Sequence, residues 1–94
     1  MHAEVSAYVK ISGKVQGVFF RVETKKAADQ LGVCGWVRNR KDGTVEAVFQ
    51  GSQKDVKAAI KWCHAGSPYS RVSDVSVRWE EKYEAELTGF DIRY

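Results

Sequence analysis

The hydrophobic pattern of this chain changes period between Ile11 and Phe20, and that change restricts the fold more than any other feature. Val5, Ala7, Val9 and Ile11 alternate with Glu4, Ser6, Tyr8 and Lys10, which is the period of a strand with one buried face. From Phe20 to Leu31 the period is helical, with Phe20, Thr24, Ala27, Ala28 and Leu31 on one stripe. A strand must therefore become a helix across Val15-Gln16-Gly17-Val18-Phe19-Phe20-Arg21. Gly13 and Gly17 release this turn from Cβ constraints, so that backbone N–H groups can converge on one point. The start of the helix adds unpaired N–H groups and a positive dipole end. Arg21 supplies a forked, permanently charged donor in the first turn. Together these form the layout of an anion site with room for a phosphate-sized group.

The rest of the chain continues the pattern. Gly32 stands where a helix C-cap is expected. Cys34 to Arg40 reads as a second strand, with Val37 and Asn39 on one face and Trp36, Arg38 and Arg40 on the other. Lys41-Asp42-Gly43 is a hairpin turn, and Thr44 to Gln50 is a third strand that buries Val45, Ala47 and Phe49. Ser52 is a good N-cap for a second helix, with Asp55 placed as in a capping box. Val56, Ala59, Ile60 and Cys63 form its stripe, and Gly66-Ser67-Pro68 ends it. Strand four runs from about Val72 to Trp79. Glu80 to Leu87 reads as an acidic, exposed connection, and Phe90, Ile92 and Tyr94 alternate in a short last strand. The expected fold is α+β: a ferredoxin-like β-α-β-β-α-β sandwich with a short extra C-terminal strand and both helices on one face of an antiparallel sheet. In that topology strands one and two are parallel with strand three between them, so Arg21 and Asn39 come to the same edge.

Two blocks of sequence resemble a known family. V-Q-G-V-F-F-R at Val15–Arg21 is similar to the signature loop of the acylphosphatases. Gly35-Trp36-Val37-Arg38-Asn39 followed by Asp42-Gly43-Thr44-Val45 resembles their second signature, and Gly89 to Tyr94 resembles their closing strand. The resemblance implies an acylphosphatase, which splits the carboxyl–phosphate bond of small acyl phosphates; the enzyme is expected to work without metal or cofactor. The resemblance implies that Arg21 and the loop from Val15 through Gln16, Gly17, Val18, Phe19 and Phe20 bind the phosphoryl group. It also implies that Asn39 positions the water. Arg21 and Asn39 are then the catalytic pair. A carboxylate leaves without protonation, so no strong general acid is required, and phosphoryl transfer depends mainly on positioning and charge stabilisation.

Other chemistries lack their residues. A phosphatase of the C-x5-R type needs a cysteine where Val15 stands. There is no Walker-type glycine-lysine loop and no carboxylate cluster beside the motif for a catalytic Mg²⁺. Cys34 and Cys63 show no metal-ligand spacing with His2 or His64 and are expected to be unpaired. Phe19 and Phe20 are expected to anchor the loop, and Trp36, Trp62 and Trp79 to pack. An RNA-binding module shares this element order and is the rival reading. It needs stacking aromatics on strands one and three; Tyr8 could serve, but Glu46, Val48 and Gln50 leave strand three without any.

At 94 residues the chain is expected to be a single domain, 1–94. Its net charge of +3 favours anionic ligands without naming one. No apolar run reaches membrane-spanning length, and the start at Met1 lacks the pattern of a signal peptide. A free, monomeric, cytoplasmic enzyme is expected, rather than a module of a larger carbamoyl-transfer protein. Its expected partner is a small acyl phosphate, with no nucleic acid and no membrane.

Overall fold

The computed structural model describes residues 4–80 and 88–94. Its elements are β1 (Glu4–Lys14), α1 (Phe20–Leu31), β2 (Cys34–Asn39), β3 (Val45–Ser52), α2 (Gln53–Ala65), β4 (Arg71–Glu80) and β5 (Phe90–Arg93). The expected acidic connection lies outside the described residues except for Glu80, which ends β4 and pairs with Arg78.

The strands form one sheet in the order β4-β1-β3-β2-β5. The period-two face of β1 is the centre of the core: Ala7, Val9 and Ile11 are fully buried, as are Val45 and Ala47 of β3 and Val37 of β2. Phe20 and Ala28 from α1, and Val56, Ala59 and Cys63 from α2, cover them. Phe49 of β3 stacks on Phe90 of β5 at 5.6 Å between ring centres. The helix boundaries follow local chemistry. Gly32 at the end of α1 takes a left-handed conformation, and the Ser52 side chain accepts the Asp55 N–H at the start of α2.

The sheet departs from expectation in one respect. The first four strands pair antiparallel, but β5 pairs parallel to β2, so the sheet is mixed. The physical cause is the crossing: the chain leaves β4 at one edge of the sheet and returns at the other. It runs opposite to β4 and hence along β2.

The tryptophans also divide. Trp62 packs against Phe20 at 5.5 Å, whereas Trp79 is 47% exposed at the β4 edge and does not pack as expected. Trp36 lies under the guanidinium groups of Arg38 and Arg93. The sheet face away from the core centres on Glu46, which is buried although it points outward. It accepts from Tyr8 and Arg38, and from Arg40 at 3.2 Å. Both cysteines are free, Cys63 in the core and Cys34 at the start of β2.

Candidate active site

The turn between β1 and α1 opens onto a cavity of about 240 Å³. One wall is the loop and the first turn of α1, with Val15, Gly17, Phe19, Phe20, Arg21 and Val22. The facing wall is the end of the sheet, with Asn39 of β2, Ile92 of β5 and Tyr94 beyond it. Pairing sets this second wall. Asn39 and Ile11 both pair with Val45, and Arg38 pairs with Arg93, so Asn39 and Tyr94 continue adjacent strands at one edge. Arg21 and Asn39, expected at a common edge, line the same cavity. Gln16 and Val18 belong to the loop but do not line it.

Two glycines make the turn possible. At Gly13 (φ 120°) the β1–β4 register shifts, and a Cβ would stand 2.1 Å from the Arg71 carbonyl oxygen. Only a residue without a side chain allows that approach. Gly17 (φ 72°) takes the left-handed conformation in open space, so there the requirement is conformational rather than steric.

The loop is then tied down on both sides by contacts that periodicity does not reveal. The Gln16 amide donates to the carbonyls of Arg40 (2.8 Å) and Thr44 (2.9 Å), fixing the loop to the β2–β3 turn. That turn is closed by the Arg40 N–H, which donates to the Thr44 carbonyl at 2.8 Å. On the other side the buried Ser67 hydroxyl donates to the Val18 carbonyl at 2.8 Å. Phe20 is 2% exposed and anchors the loop as expected; truncating such a ring to alanine costs about 3–5 kcal/mol. Phe19 does not anchor it. Its ring is 67% exposed, and its backbone is left-handed (φ 61°, ψ 23°).

Phe19 holds the N-cap position of α1 and gives no side-chain cap. The first helical hydrogen bond is donated by the Glu23 N–H to the Phe19 carbonyl at 3.0 Å. The amides ahead of Glu23 have no intrahelical acceptor. Arg21 lies in this first turn, where the helix dipole disfavours a cation by ~0.3–1 kcal/mol. An anion seated between the amides and the guanidinium reverses the sign of both effects. The Arg21 guanidinium carbon stands 4.8 Å from the centre of the Tyr94 ring.

Asn39 carries the complementary feature. Its Oδ1 is buried and has no hydrogen-bond partner among the described residues. Leaving a buried acceptor unpaired costs about 1–3 kcal/mol, and such groups concentrate where a ligand or water supplies the missing partner. Among the described residues, the side chains of the cavity include no carboxylate, imidazole or thiol.

Beside the cavity lies a wider groove lined by Arg38, Arg40, Lys41, Asp42 and Glu46, which shares Asn39 and Tyr94 with it. Burial pushes the Glu46 carboxyl up, but hydrogen bonds from Tyr8, Arg38 and Arg40 outweigh it and hold the group below the usual carboxylate range. Burial, followed by the hydrogen bond to Glu46, raises the Tyr8 hydroxyl. Asp42 is lowered to about 2, chiefly by the hydroxyl and backbone N–H of Thr44. The Arg40 Nε is 3.4 Å from the Asp42 carboxylate, an ion-pair distance without hydrogen-bond alignment.

The acylphosphatase family model matches residues 7–92. The chain belongs to the acylphosphatase family. It is 51% identical to an acylphosphatase of Pelotomaculum thermopropionicum, over 94% of this chain and 95% of that one. It is 54% identical to one of Haloquadratum walsbyi, over 93% and 91%. The crystal structure of acylphosphatase from Bacillus subtilis superposes with a TM-score of 0.92 at 34% identity, covering 96% of this chain and 99% of that one. The known activity of this family is acyl phosphate hydrolysis, so this member is a hydrolase with a ferredoxin-like fold.

Proposed function

We propose that this family member hydrolyses small acyl phosphates by direct attack of water on phosphorus, with the phosphoryl group held by the Val15–Arg21 loop and Arg21, and the water held by Asn39. The observation that carries this reading is the buried, unpaired Oδ1 of Asn39 in the cavity that also holds Arg21. The phosphoryl oxygens accept from the loop amides and the guanidinium fork. One water proton is donated to Asn39 Oδ1, which aims the water oxygen at phosphorus. A bond forms between that oxygen and phosphorus while the bond from phosphorus to the acyl oxygen breaks, and its electron pair leaves with the carboxylate. The surplus proton passes to a phosphate oxygen. Only loop residues that line the cavity offer side chains to this site; Gln16 and Val18 contribute through the backbone and through the tethers that shape the loop.

The donor set supports a reaction without metal. A divalent cation prefers several carboxylate or carbonyl ligands, and the cavity side chains offer the Asn39 amide and the Tyr94 hydroxyl. Nucleic acid is not the expected partner: Tyr8 is bound by Glu46 and covered by Arg78, and Trp36 is covered by Arg38 and Arg93. Neither ring is open for stacking on a base. The reading of one monomeric domain, 1–94, is supported by the shared core of the elements. A cytoplasmic location is supported by two free cysteines, which suit a reducing compartment. The test is release of phosphate from acetyl phosphate in the presence of EDTA, with a phosphate monoester as control. Turnover of the first and none of the second is expected. Activity abolished by EDTA and restored by Mg²⁺ would refute the metal-free mechanism.

A further inference from the structure

Asn39 stands in the chain between two arginines that one carboxylate holds. Side chains alternate along a strand, so Arg38 and Arg40 lie on the open face of the sheet, beside Glu46, while Asn39 reaches the cavity. Arg38 is paired with Glu46 in the β2–β3 register. Its Nε donates to Glu46 Oε1, and Arg40 Nη1 donates to Glu46 Oε2 at 3.2 Å. A single side chain thus grips the residues before and after Asn39. Glu46 is itself fixed from β1, because the Tyr8 hydroxyl donates to Oε2 and accepts from Arg40 Nη1 at 3.2 Å.

The clamp sits where the strand needs one. Asn39 is the last residue of β2, and beyond it the chain turns, with the Arg40 N–H donating to the Thr44 carbonyl at 2.8 Å. The ends of elements open more readily than their centres. No described residue donates a hydrogen bond to Asn39 Oδ1, so the aim of that oxygen is inherited from the backbone that carries it. Folding alone does not call for the carboxylate. Glu46 is 4% exposed on the central strand of the sheet, where a β-branched residue is ordinarily the better choice. Burying charge is costly enough that replacing a buried ion pair with apolar residues is often neutral or stabilising.

We infer that Glu46 is a positioning residue for hydrolysis: from outside the cavity it clamps Arg38 and Arg40, and through them it holds Asn39 Oδ1 on the line of attack. This rests on the reading of Asn39 as the residue that holds the water. The phosphate loop depends on the clamp less. Gln16 ties that loop to the Thr44 carbonyl as well as to that of Arg40, and Ser67 ties it from the other side.

The experiment measures kcat with acetyl phosphate per folded molecule, together with inhibition by inorganic phosphate. It compares the unmodified protein, Glu46→Gln, Asn39→Ala and the double variant. Glutamine keeps the shape of the side chain but turns one acceptor into a donor, so at least one arginine is released. A fall in kcat of about tenfold is expected in Glu46→Gln, with phosphate inhibition nearly unchanged, because a small misplacement of a positioned group is enough to slow the reaction. In the Asn39→Ala background the same substitution is expected to cost no further kcat, because residues that act as a unit are not additive. An equal loss in both backgrounds overturns the inference, since a merely structural Glu46, or one acting through the charge of the groove, behaves in that way. A normal kcat in Glu46→Gln overturns it too. If Glu46→Gln does not fold, Arg38→Met releases one arm from a half-exposed position and keeps its stem over Trp36. A kcat about threefold lower is then expected, with no such loss in the Asn39→Ala background, and an unchanged kcat overturns the inference. Retention of kcat in Asn39→Ala itself overturns the water-holding role and the inference together. A low kcat in Asn39→Ala beside a normal one in Glu46→Gln sinks the inference alone.

Discussion

The Tyr94 ring faces the Arg21 guanidinium at 4.8 Å, so the fork proposed to meet the phosphoryl group stacks on a π face. Arg21→Lys keeps the charge and loses both the fork and the planar stack. A fall in kcat/KM of about 10²-fold or more is expected, with competitive inhibition by inorganic phosphate weakened in parallel. Undiminished phosphate inhibition would remove Arg21 from the phosphate site. Tyr94→Ala removes the stack, worth ~0.5–1 kcal/mol at an exposed position, together with the ring and hydroxyl in the cavity wall, and should lower kcat/KM a few-fold.

Asn39→Ala separates chemistry from folding, because its Oδ1 makes no hydrogen bond among the described residues. The expected result is a kcat lower by about 10²-fold, with KM, phosphate inhibition and melting temperature close to those of the unmodified protein. A drop in melting temperature with kcat preserved per folded molecule would instead make Asn39 a structural residue of the β2 end.

Gln16→Ala tests the tether between loop and turn. Two hydrogen bonds to carbonyls disappear, at ~1 kcal/mol each, and the loop is freed on that side. Stability should fall by about 2 kcal/mol in denaturant titration. Turnover should fall as well, although Gln16 does not line the cavity, because the proposed convergence of loop amides on phosphate needs a fixed loop. Normal kcat/KM in a destabilised variant would show that Ser67 and Phe20 hold the loop sufficiently by themselves.

Acid stability should report on Glu46. Its folded-state value lies below the unfolded one, so its contribution is complete above the ordinary carboxylate value of 4.5. That contribution is lost as pH falls through the lowered folded value. Asp42, lowered to about 2, acts in the same direction. Glu46→Gln should therefore flatten the loss of stability below pH 4.5 and lower stability at neutral pH. Arg38 and Arg40 remain partly open to solvent, which screens the pairs, so about 1–2 kcal/mol is expected. An acid limb of equal steepness in the variant would assign it to other carboxylates.

Much of this was legible because it depends on period and on backbone chemistry. The alternation in β1 and β3, the stripes of α1 and α2, the turn at Gly43 and the approach of Arg21 to Asn39 all follow from spacing and crossover rules. The tethers were not legible. Gln16 reads as one more polar loop residue until the β2–β3 turn is placed beside it, and Ser67 reads as part of a helix stop until it is found under Val18. A side chain in a loop takes its direction from whatever tertiary neighbour arrives, and no local period encodes that neighbour. Phe19 misled for a related reason: two adjacent phenylalanines look like a paired anchor, but the left-handed turn at Phe19 sends one ring inward and the other out. The placement of β4 and β5 at opposite edges of the sheet, with β5 parallel to β2, is a tertiary outcome that composition alone does not reveal.

The brevity of β5 has a consequence for how activity is lost. The strand is four residues long, lies at the sheet edge and has a single strand neighbour among the described residues, yet it delivers Ile92 and leads to Tyr94 in the cavity wall. Apart from β2, it is held by Phe90 in the core and by the Lys25 ammonium donating to the Phe90 carbonyl at 2.9 Å. Short edge elements open at lower free energy than the global transition. Detachment of β5 would remove part of the wall behind Arg21 while β1, β3 and both helices stay folded. Heat inactivation should then precede the loss of helical circular dichroism, and amide exchange in β5 should follow the inactivation curve rather than the unfolding curve.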